Sequence, residues 1–103
     1  MFYKSQSAYK ESEKLIPGGV NSPVRAFRSV ESTPVFFKSG NGSKMTDIDD
    51  NIYIDCVGSW GPLIFGHADK YTIDSIIETS RNGTTFGAPT ELETKMASKI
   101  IEM

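Results

Sequence analysis

Residues 35–57 read VFFKSGNGSKMTDIDDNIYIDCV, and this stretch decides the fold of the chain. It contains three β-rich runs, at residues 35–38, 43–48 and 52–57, separated by the turns Gly40-Asn41-Gly42 and Asp49-Asp50-Asn51. In the last run, residues 52, 54 and 56 alternate with residues 53, 55 and 57, which is the period of a strand. Short strands joined by turn residues predict a three-stranded antiparallel meander over residues 35–57. The aspartates in and beside the second turn are expected there for backbone reasons.

Helices flank the predicted meander on both sides. Residues 5–16 predict a surface helix with a narrow apolar seam, ended by Pro17-Gly18-Gly19. Residues 19–34 are predicted to be irregular chain. A helix with Ile73, Ile76 and Ile77 on one face stops at Asn82-Gly83, and a last helix begins at a capping box formed by Thr90 and Glu93. The predicted fold class is α+β, one segment over residues 1–103 with a helical part at 69–103.

Composition excludes several classes of protein. The chain has 103 residues, 13 acidic and 11 basic, so its formal charge is −2, whereas nucleic-acid binding requires a basic surplus or stripe. No apolar run approaches the ~20 residues of a membrane-spanning helix, so no membrane partner and a cytoplasmic location are expected. One cysteine and one histidine exclude an internal disulfide framework and a His/Cys metal cluster. Only 38% of residues are apolar, which predicts a thin core and a piece of something larger.

A few side chains stand out for their chemistry. Arg25 lies in a loop that Pro23 holds extended, where a guanidinium suits a carboxylate or phosphate, with a solvated surface arginine as the alternative. Trp60 is bounded by glycines and either offers a flat face to a ligand or anchors the core. His67 has no Ser, Cys or carboxylate at a recognisable spacing, which favours a structural role. Cys56 lies in the alternating run and is expected to be buried.

Four motifs occur in a characteristic order. They are LIPGGVNSPVRAF at residues 15–27, YID at 53–55, VGSWGPLI at 57–64 followed by Gly66-His67, and FGAPTELE at 86–93. This order resembles the amino-terminal portion of the glutamate-1-semialdehyde 2,1-aminomutase family, pyridoxal-phosphate enzymes related to the class III aminotransferases. The resemblance runs from about residue 9 to the last residue. It implies a parent with the α/β fold-type I of pyridoxal-phosphate-dependent transferases.

The resemblance also implies a reaction and a set of site residues. The family converts glutamate 1-semialdehyde to 5-aminolevulinate, a precursor of tetrapyrroles (porphyrins). Arg25 is expected to grip the substrate carboxylate with Ser22 beside it, and Trp60 is expected to line the substrate pocket. Further pocket or dimer-contact residues implied by the resemblance are Gly58, Ser59, Phe86, Gly87 and Thr90.

The resemblance places the cofactor machinery outside this chain. The family's phosphate loop, its aspartate for the pyridine nitrogen and its aldimine lysine correspond to positions beyond Met103. No lysine of this sequence lies in the apolar setting that Schiff-base chemistry needs. The chain alone is therefore predicted to be inactive, with no catalytic, cofactor-binding or metal-binding residue. Pyridoxal phosphate and the substrate would bind in the full-length parent, itself expected to be a homodimer.

An alternative from another class stays open. The apolar face of the last helix and the apolar loop at residues 57–65 would also suit a stand-alone binding or dimerisation module.

Departures from the family pattern are confined to turn and surface positions: Asp50, where the family commonly has glycine; Ala68-Asp69-Lys70, where a histidine-proline pair is common; and Thr85, where serine is usual.

Overall fold

The computed structural model describes residues 2–103 and divides into two compact units after Asp69. The helices are α1 (Tyr3–Leu15), α2 (Lys70–Ser80) and α3 (Glu91–Glu102), and the strands are β1 (Phe37–Asn41), β2 (Lys44–Asp47) and β3 (Ile52–Ile54). The predicted α+β order of one helix, a meander, a glycine-rich loop and two helices is confirmed. Among helices in residues 2–103, none has the length and apolarity to cross a membrane.

The sheet is the predicted antiparallel meander, in the order β1-β2-β3. Its first reversal differs from the prediction, because β1 continues through Gly40 and Asn41 and the chain turns at Gly42-Ser43. Asn41 pairs with Lys44 across this two-residue loop, and Gly42 takes the left-handed φ of 54° that such a hairpin favours. The irregular stretch after α1 contains three short 3₁₀ turns, at Pro17–Gly19, Pro23–Ala26 and Arg28–Val30.

The two faces of the meander are covered unequally. On one face the rings of Phe37 and Tyr53 meet edge to face, with centroids 5.5 Å apart. On the other, Ile52 and Ile54 are 67% and 72% exposed. Cys56 is also exposed, so the expectation that it is buried is wrong. The alternating pattern correctly indicates a strand, but the residues described here do not cover its second apolar side.

The second turn of the meander is built around a buried carboxylate. Asp47 accepts hydrogen bonds from the Asn51 backbone and side-chain nitrogens at 2.8 Å each, from the Tyr53 hydroxyl at 2.8 Å and from the Asp49 N–H at 2.9 Å. Burial raises the pKa of Asp47, but these donors outweigh burial and hold the pKa below its ordinary value. Burial raises the pKa of Tyr53, and its hydrogen bond to the Asp47 carboxylate raises it further.

Helix α1 is capped by this turn rather than by its own sequence. The Asp49 carboxylate accepts the N–H groups of Lys4 at 2.7 Å and Ser5 at 2.9 Å, which satisfies donors that a helix start leaves open. These bonds lower the pKa of Asp49 against the opposing effect of burial. The buried Ser5 hydroxyl in turn accepts the Phe36 N–H at 3.3 Å. One turn of the meander therefore fixes the start of α1.

The last helix begins where the sequence predicts, without the predicted hydrogen bond. Thr90 occupies the N-cap position, but within the described residues its side chain makes no cap hydrogen bond. The Glu93 N–H instead donates to the Thr90 carbonyl at 3.2 Å. The capping-box interpretation is therefore wrong in its side-chain geometry and right in its position. The apolar faces of α2 and α3 are exposed, with Ile76 at 57% and Met96 at 63%.

Candidate functional site

The turn that carries Arg25 is held by its neighbours in sequence. Ser22 is extended, with φ −146° and ψ 130°, and Pro23 opens the 3₁₀ turn that follows. The Arg25 N–H donates to the Ser22 carbonyl at 2.9 Å and closes this turn. Ala26 is only 5% exposed and anchors the turn from inside. Because Ala26 points inward, its neighbour Arg25 lies on the exposed side.

Arg25 lines a pocket of about 270 Å³ in the first unit. The other lining residues are Ser12, Ile16, Gly19, Val20, Asn21, Pro34, Val35, Phe36 and Phe37. Arg25 is the only charged residue among them. Because Arg25 is exposed, its guanidinium is accessible to a carboxylate from solvent, and the contact would be favoured by charge-assisted bidentate hydrogen bonds. Ser22 lies in the same turn, half-buried, outside the lining set.

Helix α1 supports the back of this pocket through a close approach to a glycine. Gly19 is buried with φ +72°, and a Cβ there would lie 2.5 Å from the Tyr9 ring. The Tyr9 hydroxyl donates to the Gly18 carbonyl at 3.3 Å. Only glycine permits both the left-handed backbone and this contact. The Gly18-Gly19 pair therefore seats the pocket turn against α1.

Trp60 lies on a separate turn of the first unit. It ends the 3₁₀ turn Gly58–Trp60 and is 83% exposed, so the alternative of a core anchor does not hold within the described residues. Ser59 and Trp60 have left-handed φ values of 53° and 67°. Such values in residues other than glycine are strained and cluster at functional sites. The loop presents an indole face outward at the cost of that strain.

The structure pairs His67 with Asp55 at a partly buried position, a contact that no motif in the sequence indicates. His67 Nε2 lies 2.7 Å from Asp55 Oδ2, with side chains 19% and 6% exposed. The pKa of Asp55 is lowered, first by the N–H groups of Val57 and Gly58 and then by His67. The twelve-residue separation is not a recognisable motif spacing, so the sequence gives no sign that Asp55 is the carboxylate partner of His67. Asp55, Gly58 and His67 line a second pocket of about 360 Å³.

The remaining site residues implied by the resemblance lie in the second unit. The Phe86 ring covers Gly83, where a Cβ would lie 2.9 Å from it, and Phe86 is 62% exposed. Gly87 has φ +60° with open space around it. Thr90 is half-buried at the start of α3. These three residues share the segment between α2 and α3.

The lysines do not suit the attachment of a carbonyl cofactor. Every lysine within residues 2–103 is exposed. Many lie near carboxylates; these are Lys4, Lys14, Lys38, Lys70, Lys95 and Lys99. Schiff-base lysines instead lie in desolvated or strongly cationic surroundings. The residues described here therefore do not fit the attachment point of pyridoxal phosphate.

Comparison with known proteins adds the decisive observation. No protein-family model matches the chain. It is 56% identical over 101 residues to glutamate-1-semialdehyde 2,1-aminomutase 1 of Listeria welshimeri, covering 98% of this chain and 24% of that protein. The aminomutase of Bacillus subtilis is 54% identical with the same coverage. The chain matches the amino-terminal portion of the glutamate-1-semialdehyde 2,1-aminomutase family.

Solved structures agree with this aminomutase match. An aminomutase from Pseudomonas aeruginosa PAO1 superposes with a TM-score of 0.84 at 26% identity, covering 97% of this chain and 22% of that one. A transaminase with PLP bound gives a TM-score of 0.85 at 33% identity, covering 95% and 22%. The chain thus spans about a quarter, 24%, of the length of the aminomutases it matches. Its fold is that of an amino-terminal segment of pyridoxal-phosphate transaminases and aminomutases.

Proposed function

We propose that this chain supplies the substrate-carboxylate arm of a glutamate-1-semialdehyde 2,1-aminomutase. The observation that carries the proposal is the position of Arg25, the only charged residue lining an otherwise uncharged pocket. Glutamate 1-semialdehyde and 5-aminolevulinate each retain one free carboxylate throughout the reaction. A single guanidinium in an otherwise uncharged pocket satisfies that one charge, with no second cation in the pocket lining to compete for it.

The turn prepares Arg25 for this role before the substrate arrives. Pro23 and the buried Ala26 fix the backbone, so binding costs little further ordering of the chain. The planar guanidinium can hold both carboxylate oxygens at once, which a lysine ammonium cannot do. The family resemblance adds two groups that do not line this pocket in the structure: the Ser22 hydroxyl as a second contact for the carboxylate, and the Trp60 ring as an apolar wall for the carbon chain of the substrate.

The cofactor belongs to the longer parent in this proposal. Pyridoxal phosphate, when bound there, supplies the electron sink for moving the amino group between adjacent carbons. Its lysine anchor lies outside this chain, since the lysines described here are exposed and many are paired with carboxylates. The parent works in tetrapyrrole (porphyrin) synthesis, in the cytoplasm, as a homodimer. The 103-residue chain alone is inactive.

Ligand titration tests the carboxylate arm directly. Titrating ¹⁵N-labelled chain with 5-aminolevulinate should shift the amides of the Ser22–Ala26 turn. Arg25→Lys should weaken that binding by roughly tenfold, because the point charge loses one of two hydrogen bonds. Arg28→Lys is the matched control, since Arg28 lines a different pocket. Equal affinities for wild type and Arg25→Lys would remove Arg25 from the site.

A separate experiment tests the assignment of the cofactor to the parent. The chain is mixed with pyridoxal phosphate, reduced with borohydride and digested for peptide mass spectrometry. We expect low labelling spread over several exposed lysines and no formation of 5-aminolevulinate. Stoichiometric labelling of one lysine with turnover would show that the chain carries its own catalytic site.

The alternative function is a stand-alone binding or dimerisation module. The exposed apolar faces of α2 and α3 favour it, with Ile101 at 85% exposed and Leu92 at 56%. Light scattering after size exclusion separates the two proposals when the remaining aminomutase sequence is supplied in trans. A complex with that sequence supports the aminomutase arm, whereas a stable dimer indifferent to it supports the module.

A further inference from the structure

One carboxylate holds both ends of the loop that carries Trp60. Asp55 follows β3 directly, and its Oδ1 accepts the N–H groups of Val57 at 2.8 Å and Gly58 at 3.0 Å. Its Oδ2 lies 2.7 Å from Nε2 of His67, at the other end of the loop. Residues 57–67 are therefore closed into a ring by a single side chain.

His67 is itself fixed to the sheet. Its backbone exchanges two hydrogen bonds with Gly42, at 2.9 Å and 2.8 Å. Its ring lies so close to β1 that a Cβ on Gly40 would be 2.6 Å from the imidazole Cγ. The histidine thus transmits the position of the meander to the loop.

The loop needs such a hold because its tip is strained and unsupported by packing. Ser59 and Trp60 both have left-handed backbone angles, and the Trp60 side chain is 83% exposed. Strained conformations persist only where the surrounding structure enforces them. Within the loop, the Trp60 and Gly61 N–H groups donate to the Val57 and Gly58 carbonyls at 3.2 Å and 3.1 Å. The position of the indole therefore depends on how firmly Val57 and Gly58 are held, and Asp55 accepts the N–H groups of both.

The hydrogen bonds of Asp55 show which atom donates in its contact with His67. The lowered pKa of Asp55 keeps its carboxylate ionised and acceptor-only. Nε2 of His67 is therefore the donor in the 2.7 Å contact.

We propose that Asp55 and His67 form a clamp that positions Trp60 against the substrate of the proposed aminomutase reaction. They act as positioning residues, because both Asp55 carboxylate oxygens and His67 Nε2 are engaged with the loop and with each other. The proposal rests on the proposed function, in which Trp60 contacts the substrate, because neither Trp60 nor the clamp lines the Arg25 pocket itself. It also predicts that the backbone of Trp60 is rigid in the ligand-free chain.

The experiment measures ¹⁵N order parameters of residues 57–66 in the ligand-free chain. In wild type we expect about 0.85 at Trp60, equal to the strands. His67→Ala and Asp55→Asn should lower it to below about 0.6 while the strand amides stay rigid. His67→Gln places an amide N–H near the position of Nε2 and should restore the order. Asp74→Asn is the matched control, because it breaks an exposed ion pair with Lys70 in the other unit.

Each outcome decides the proposal. A mobile Trp60 in wild type overturns it, as does a rigid Trp60 in His67→Ala. If His67→Ala also lowers the order parameters of the strands, Gly40→Ala is measured in its place. The new methyl group displaces the imidazole while both clamp residues remain. A rigid Trp60 backbone in Gly40→Ala overturns the clamp. Titration of the wild type with 5-aminolevulinate is scored separately. If the Trp60 backbone is rigid but 5-aminolevulinate shifts no amide resonance, the clamp is supported and the proposed function is refuted.

Discussion

Gly66 offers the sharpest test of how the loop is joined to the sheet. Its φ is +81°, and an added Cβ would lie 2.8 Å from the Gly42 carbonyl oxygen and 3.0 Å from the carbonyl carbon. Gly66→Ala therefore combines a left-handed backbone, about 1–2 kcal/mol, with a clash against rigid main chain. The clash separates Gly42 from His67, whose two hydrogen bonds contribute about 1 kcal/mol each.

The expected loss is about 3–4 kcal/mol of the free energy of unfolding, a large share of the 5–15 kcal/mol typical of small domains, taken as a rough range. Urea unfolding followed by far-UV circular dichroism measures it. Gly42→Ala is the control, because Gly42 shares the left-handed φ, at +54°, but has nothing within 4 Å of an added Cβ. If Gly66→Ala costs no more than Gly42→Ala, the close approach does not hold the loop.

Three further outcomes are expected. Ala68 has φ +52°, so Ala68→Gly should raise the free energy of unfolding by about 0.5–1 kcal/mol. Ala8→Gly inside α1 should instead lower it by about 1 kcal/mol. Urea midpoints that shift in the same direction in both variants would refute the strain at Ala68. The pKa values of Asp47 and Asp49 are lowered from 3.8, so their contribution is complete above that value and is lost as the pH falls through the lower folded values. Urea midpoints should therefore stay level down to about pH 4 and decline below it, and a decline beginning near neutral pH would contradict this sign. Tyr53→Phe deletes the donor at 2.8 Å from Asp47 and should cost about 1 kcal/mol, with an unchanged unfolding midpoint as the contrary result.

Local sequence signals were sufficient for the framework of the fold. The meander, the amino-terminal helix and the two later helices all follow from periodicity and turn residues, which act over a few neighbouring positions. The strands end at other residues than predicted because of contacts between residues distant in sequence. Gly42 exchanges backbone hydrogen bonds with His67. The Asp55 carboxylate accepts the N–H groups of Val57 and Gly58, and strand β3 ends at Ile54, just before this turn.

The site was predictable only in part. Arg25 stands out because of its proline-stiffened turn and its motif, but the pocket around it also needs Pro34–Phe37 brought back against α1. The Asp55–His67 pair depends on a loop closing over twelve positions, a contact that no short-range pattern encodes. The exposed Cys56 shows the converse limit, since alternation marks a strand without saying whether both of its faces are covered.

The capping of α1 by Asp49 has a consequence for synthesis on the ribosome. Lys4 emerges first, yet the carboxylate that completes its helix start lies 45 positions later. Until that turn leaves the exit tunnel, the nascent helix keeps open N–H groups and frays at its first residues. The amino-terminal helix is thus made early but consolidated late, when translation has delivered the meander that receives it.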